Sequence, residues 1–146
     1  LSMSWFYRNH KSMLMKKLKD NIYNFFRHKA NGVPAEEKLW TTFKEYEQYI
    51  KGRGYTNSFV PINVRATNDY KNTTAVAYIA NRYMKPTLKH FFETEGIEVD
   101  EDTYALSELI QFIYRSAIRD GKPIIVYVPS KRMRELLKDW INKKDE

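Results

Sequence analysis

Three side chains able to bind phosphate recur four residues apart in ALSELIQFIYRSAIRDG (Ala105–Gly121): Gln111, Arg115 and Arg119. That spacing puts them on one face if a helix runs unbroken from about Tyr104 to Asp120. At about 100° per residue, Leu106, Leu109, Ile110, Ile113 and Ala117 form the opposite, apolar face. Arginines on such a polar face are ordinarily solvated. At the edge of a nucleotide site, the same guanidinium groups would stabilise charge on a transferring phosphoryl group.

Other donors cluster after apolar runs. Arg65, Thr67 and Asn68 follow SFVPIN (Ser58–Asn63) and offer guanidinium, hydroxyl and amide groups to a phosphate backbone. Read as structure alone, they form a polar turn, with Asn68 and Asp69 capping the next helix. Lys44 follows KLWTTF (Lys38–Phe43), and Lys51 and Arg53 sit in a glycine-rich turn within reach of phosphate. Lys131, Arg132 and Arg134 crowd the start of the last helix, where cations are unfavourable and an anionic partner would relieve the cost. The plain alternative is a solvated helix end.

Several chemistries are missing. His10, His28 and His90 are scattered without ligand spacing, so no metal site is expected. The acidic VDED run (Val99–Asp102) lacks the lysine motif of a metal-dependent nuclease and reads as a solvated loop. No Ser/His/Asp grouping stands out. The absence of cysteine excludes a disulfide framework and thiolate metal sites, and fits a reducing, cytoplasmic setting in a bacterium or phage-infected host. No apolar run approaches the roughly 20 residues of a membrane span, and no signal peptide is visible. Opening on Leu1 rather than Met, the chain is expected to be a fragment.

The net charge of +7 is unevenly placed. Residues 1–73 hold 13 Lys/Arg and 6 Asp/Glu, whereas residues 74–146 hold 12 of each, so the whole surplus lies in the first half. Such a surface attracts polyanions.

To position these groups, the sequence predicts strands at Ser4–Arg8, Lys38–Phe43, Ser58–Asn63 and Ile124–Val128. Helices are expected in KSMLMKKLKDNIYNFFRHK, KEYEQYIKGRG, AVAYIANRYMKPTLKHFF, the Gln111 segment and SKRMRELLKDWI, with Glu95–Thr103 an acidic loop. Pro86 would kink the third of these or begin a second segment, and Ser130 would cap the last. The alternation implies one doubly wound α/β domain over residues 1–142, with a mostly parallel sheet, helices on both faces and a solvated tail at 143–146. Ligands in such sheets sit at the carboxyl ends of strands.

Three segments carry a family resemblance: WTTFK (Trp40–Lys44), FVPINVRATNDY (Phe59–Tyr70) and ALSELIQFIYRSAIRDG. In this order they are similar to blocks of the second RecA-like domain of superfamily 2 helicases, among them helicase-like proteins of phages and mobile elements of Gram-positive bacteria. The last block stands where those helicases carry Q-x-x-G-R-x-x-R. Gln111 and Arg115 keep its spacing, Tyr114 replaces the glycine, and Arg119 falls one residue late.

The resemblance implies a RecA-like, P-loop NTPase-type domain that completes an ATP site formed by an N-terminal RecA-like domain of the same protein. Arg115 or Arg119 would be the finger, with Gln111 orienting it or touching nucleotide. ATP and Mg2+ would be used only by the complete helicase, whose partner would be DNA, single-stranded by preference, contacted through Arg65, Thr67, Asn68, Lys44 and Arg132. No G-x-x-x-x-G-K-[ST] is present, and Gly121-Lys122 precedes a strand, so the chain alone is expected not to hydrolyse ATP. The alternative is a stand-alone basic α/β domain that binds nucleic acid or a replication protein.

Overall fold

Strand β1 (Lys38–Thr41) opens the run KLWTTF, in which Trp40, Thr41, Thr42 and Phe43 favour the extended backbone. The computed structural model describes residues 1–63 and 69–144. In it β1 pairs in parallel with β2 (Ala75–Tyr78), which pairs in parallel with β3 (Ile125–Tyr127), giving the order β1-β2-β3. The register aligns Trp40, Ala77 and Tyr127, and aligns Leu39, Val76 and Val126. Because strand side chains alternate, these two rows face opposite sides of the sheet.

Helices cover both sides. On the first, α2 (Met13–Asn24) continues into a π-helical turn, Phe25–Lys29. Phe25 stacks on Tyr127 with ring centroids 5.3 Å apart, Phe26 stacks on Tyr55 at 5.7 Å, and Tyr55 meets Trp40 edge-on at 5.4 Å. On the second, Phe112 of α5 (Glu101–Ile113) meets Tyr78 at 5.5 Å, and α6 (Lys131–Lys144) packs alongside α5. The expected doubly wound α/β class is therefore present, with a parallel sheet of three strands.

Individual elements depart from expectation. Ser4–Arg8 is helical, within α1 (Met3–Asn9): Ser2 caps it by accepting from the Trp5 amide at 3.2 Å, and Phe6 is buried against Phe43 and Tyr46. A cap and one buried ring outweigh the β preference of the aromatics. Ala75–Tyr78, expected to be helical, supplies the central strand β2. All four β2 residues are buried, so the alternation that marks a half-exposed strand is missing and alanine-rich sequence imitates a helix. Pro86 then starts α4 (Pro86–Thr94) at its first turn, a position suited to its missing N–H. No residue of α4 is buried.

Ser58–Asn63 contributes only a bridge between Phe59 and Trp40, with the Val60 amide donating to the Trp40 carbonyl at 3.0 Å. Pro61 cannot extend that ladder. The short helix after β1 is a 3-10 turn, Lys44–Tyr46, followed by α3 (Glu47–Ile50). The acidic loop ends early, because Asp100 caps α5 by accepting from the Thr103 amide at 3.1 Å, and those hydrogen bonds hold its carboxyl below the usual carboxylate range. Ile124–Val128 is not a buried strand: β3 lies at the edge of the sheet with Ile125 44% exposed. Ser130 caps α6 as expected, with its hydroxyl 3.4 Å from the Met133 amide. The tail is helical as far as Lys144.

Gly52 shows how tightly the turn after α3 is packed. A Cβ there would lie 2.6 Å from the Tyr55 hydroxyl oxygen, which itself donates to the Ile50 carbonyl at 2.6 Å from a ring 1% exposed. Gly52→Ala is expected to destabilise the domain by about 1–3 kcal/mol, as overpacking does. Urea denaturation checks it, and an unchanged midpoint would refute the packing argument.

Candidate phosphate-binding rim

The polar face read along Gln111, Arg115 and Arg119 is interrupted. Helix α5 ends at Ile113, and Ser116 turns to an extended conformation (φ −82°, ψ −174°). Its hydroxyl donates to the Ile113 carbonyl at 2.6 Å and accepts from the Ile118 amide at 3.4 Å, closing one helix and capping the 3-10 turn Ala117–Asp120. The three side chains thus stand in different settings. Gln111 is exposed and donates to the Ser107 hydroxyl at 3.0 Å. Arg115 is half-buried, its guanidinium 5.9 Å from the Phe112 ring centre and its Nε buried without a hydrogen-bond partner. Burial pulls its pKa below the usual arginine value, against the opposing influence of Glu108, Tyr70 and Tyr78. Arg119 is exposed.

Chain direction fixes which rim of the sheet they occupy. After α5, the Ala117 amide donates to the Thr73 carbonyl at 2.9 Å and the Ile125 amide to the Thr74 carbonyl at 2.8 Å. Thr73 and Thr74 immediately precede β2, so Arg115 and Arg119 flank the amino ends of the strands. The carboxyl-end crevice expected for this class of fold does not contain them.

The other expected contacts are dispersed. Lys44 is exposed, beyond the carboxyl end of β1. Arg65, Thr67 and Asn68 lie outside the described residues. Arg132 has its guanidinium committed within the chain. It bonds Asp102 Oδ1 through Nε at 3.1 Å and Nη2 at 2.9 Å, and Asn81 Oδ1 and the Arg82 carbonyl through Nη1 at 2.8 and 2.6 Å. It also lies 4.2 Å from the centre of the Tyr83 ring. It clamps the start of α6 to the loop after β2 and the first turn of α5. Arg134 donates to the Val128 and Pro129 carbonyls at 3.0 and 3.4 Å. Of the three cations at the head of α6, two therefore satisfy groups of the chain itself.

A second set of cations gathers at the amino rim. Lys38 opens β1, Arg27 projects from the π-helical turn, and Arg53 stands in the turn after α3. All three line one cavity of about 220 Å3 together with Tyr23, Phe26, Gly32 and Gly54. Arg53 was visible from its glycine-rich turn. Arg27 and Lys38 carried no local signal, one read as a helix end and the other as a strand residue. Among the described residues, no group of three or more His, Cys, Asp or Glu could hold a metal ion. No helix among them is long and apolar enough to cross a membrane.

A parallel sheet wrapped on both faces by helices makes this a Rossmann-like α/β domain. The chain belongs to the family of YonV C-terminal Rossmann-like domains, whose model matches residues 1–141. It is 45% identical over 143 residues to the "SPbeta prophage-derived uncharacterized protein YonV" of Bacillus subtilis (strain 168), a match covering 97% of this chain and 34% of that protein. The chain thus spans about a third of the length of this relative, and the expected phage kinship is met. No solved structure matches.

Proposed function

We propose that the domain binds nucleic acid through the amino-terminal rim of its sheet, as one part of a longer phage-type protein. The observation that carries this is the placement of the ion pairs seen among the described residues. Arg82–Glu108, Lys89–Glu93, Lys89–Glu101 and Arg132–Asp102 all fall between residues 82 and 132, toward the other rim. Among the described residues, Arg27, Lys29, Lys38 and Arg53 at the amino rim have no carboxylate within ion-pair distance, and they belong to the half that holds the +7 surplus. A polyanion gathers counterion-release free energy from such a surface without first breaking internal pairs.

The test is binding of the 146-residue chain to a fluorescent single-stranded oligonucleotide across a salt series. The logarithm of affinity should fall linearly with log salt, by about 0.7 for each phosphate neutralised. Failure to bind at low salt would remove this reading.

A second reading is favoured by the break after Ile113, which turns the chain so that Arg119 is exposed at the rim. Here the domain is the C-terminal half of a DNA helicase or translocase. Arg119 or Arg115 would reach an ATP–Mg2+ site completed by an N-terminal domain, in keeping with the resemblance of the Gln111 segment to the last helicase motif. In the longer protein, Arg119→Ala should then abolish nucleotide turnover while leaving oligonucleotide binding in place. A longer protein without nucleic-acid-stimulated hydrolysis would dispose of it.

A further inference from the structure

The geometry points to the cavity between the π-helical turn, the start of β1 and the Gly52–Gly54 turn as a binding site for one backbone phosphate of a nucleic-acid strand. This rests on the nucleic-acid reading and locates its anchoring contact. Arg27, Lys38 and Arg53 all line the cavity, and none is in an ion pair among the described residues. Two guanidinium forks and an ammonium match the oxygens of a phosphate better than a single carboxylate.

Lys38 is held in place. Its Nζ donates to the Gly54 carbonyl at 2.6 Å and lies 5.8 Å from the Phe26 ring centre. An ammonium has three donors, so two remain for a ligand. The glycines keep the space open. Gly32 and Gly54 have φ of +60° and +87°, in the region where L side chains are strained. A Cβ on Gly54 would stand 3.8 Å from Lys38 Nζ, and one on Gly32 would stand 4.0 Å from Arg27 Nη1, each beside a cation that a ligand would meet. The π-helical turn that places Arg27 on this wall is a feature often found at functional sites.

Size narrows the ligand. At about 220 Å3 the cavity is below the roughly 300–1,000 Å3 of sites that enclose a small organic ligand. It suits a phosphate with part of its sugar, while Tyr23 and Phe26 offer ring surface to the neighbouring nucleotide.

Two measurements on the 146-residue chain test this. Titration with inorganic phosphate, followed by backbone amide NMR, should shift the Gly32, Arg53 and Gly54 amides first. The double variant Arg27→Ala/Arg53→Ala should bind the single-stranded oligonucleotide with a salt slope smaller by about 0.7, the one phosphate lost, and so about 5-fold more weakly at 0.1 M salt. Lys85→Ala/Lys131→Ala, at the opposite rim, should leave the slope unchanged.

If the oligonucleotide binds but the Arg27/Arg53 variant keeps the wild-type slope, the cavity proposal is overturned and the nucleic-acid reading stands. If phosphate shifts those amides but no oligonucleotide binds, the nucleic-acid reading falls, and the claim of a strand phosphate with it, leaving a site for small anions. If phosphate shifts nothing there, the cavity is not a phosphate site.

Discussion

Trp40→Ala is expected to cost the domain about 3–5 kcal/mol, the usual range for deleting a fully buried large ring. Trp40 is 0% exposed in the middle of β1, and its indole N–H donates to the Tyr55 carbonyl at 2.7 Å. Its ring meets Tyr55 at 5.4 Å and Phe59 at 5.0 Å, so it joins the strand to the turn after α3 and to the single bridge beyond β1. The substitution removes apolar burial, opens a cavity and takes one of two donors from the buried Tyr55 carbonyl, which keeps the Ser58 amide at 3.1 Å. Native domains hold about 5–15 kcal/mol, so a large share of the total would go. In urea the midpoint should fall by roughly 2 M at an ordinary slope. Trp40→Phe, which keeps most of the ring and loses the hydrogen bond, should fall between. A loss below about 1 kcal/mol for the alanine variant would mean that Trp40 does not join these elements.

Arg132→Ala should cost about 2–3 kcal/mol. Its salt bridge to Asp102 accounts for little of that, because Asp102 is 64% exposed and exposed pairs contribute about 0–1 kcal/mol. The larger part comes from Asn81 Oδ1 and the Arg82 carbonyl, which lose charged donors on the partly buried side, where such bonds contribute about 1.5–3 kcal/mol. Contact with the Tyr83 ring adds about 0.5–1 kcal/mol. Arg132→Lys should recover less than half, since an ammonium cannot span Asp102, Asn81 and Arg82 at once. Thermal unfolding in low and high salt checks this: the loss should persist in high salt. The opposite pattern, unchanged stability with weakened oligonucleotide binding, would return Arg132 to the list of phosphate contacts.

What the sequence disclosed depended on whether a signal was local. Ser130 at the head of α6 and the apolar spacing of α2 (Met15, Leu18, Ile22, Phe25) lie within single elements, and they were legible. β2 was not, because a strand covered on both faces loses its period of two and Ala75, Ala77 and Ala80 imitate a helix. The end of α5 was hidden in a serine: Ser116 fits the helical spacing, but its side-chain hydrogen bonds stop the helix. The amino-rim cavity had no local pattern at all. Arg27, Lys38 and Arg53 belong to a helix end, a strand and a turn, and only parallel pairing with β2 and the return of α2 across the sheet bring them together. The carboxyl-end rule for doubly wound sheets directed attention to the rim where the ion pairs among the described residues lie.

Because α4 contributes nothing to the interior, its melting would uncover little apolar surface. Backbone amides from Lys89 to Ile97 are therefore free to exchange with solvent deuterium while the sheet remains whole. Those of Val76 to Ile79 must wait for the entire molecule to open, so one short chain holds two widely separated clocks.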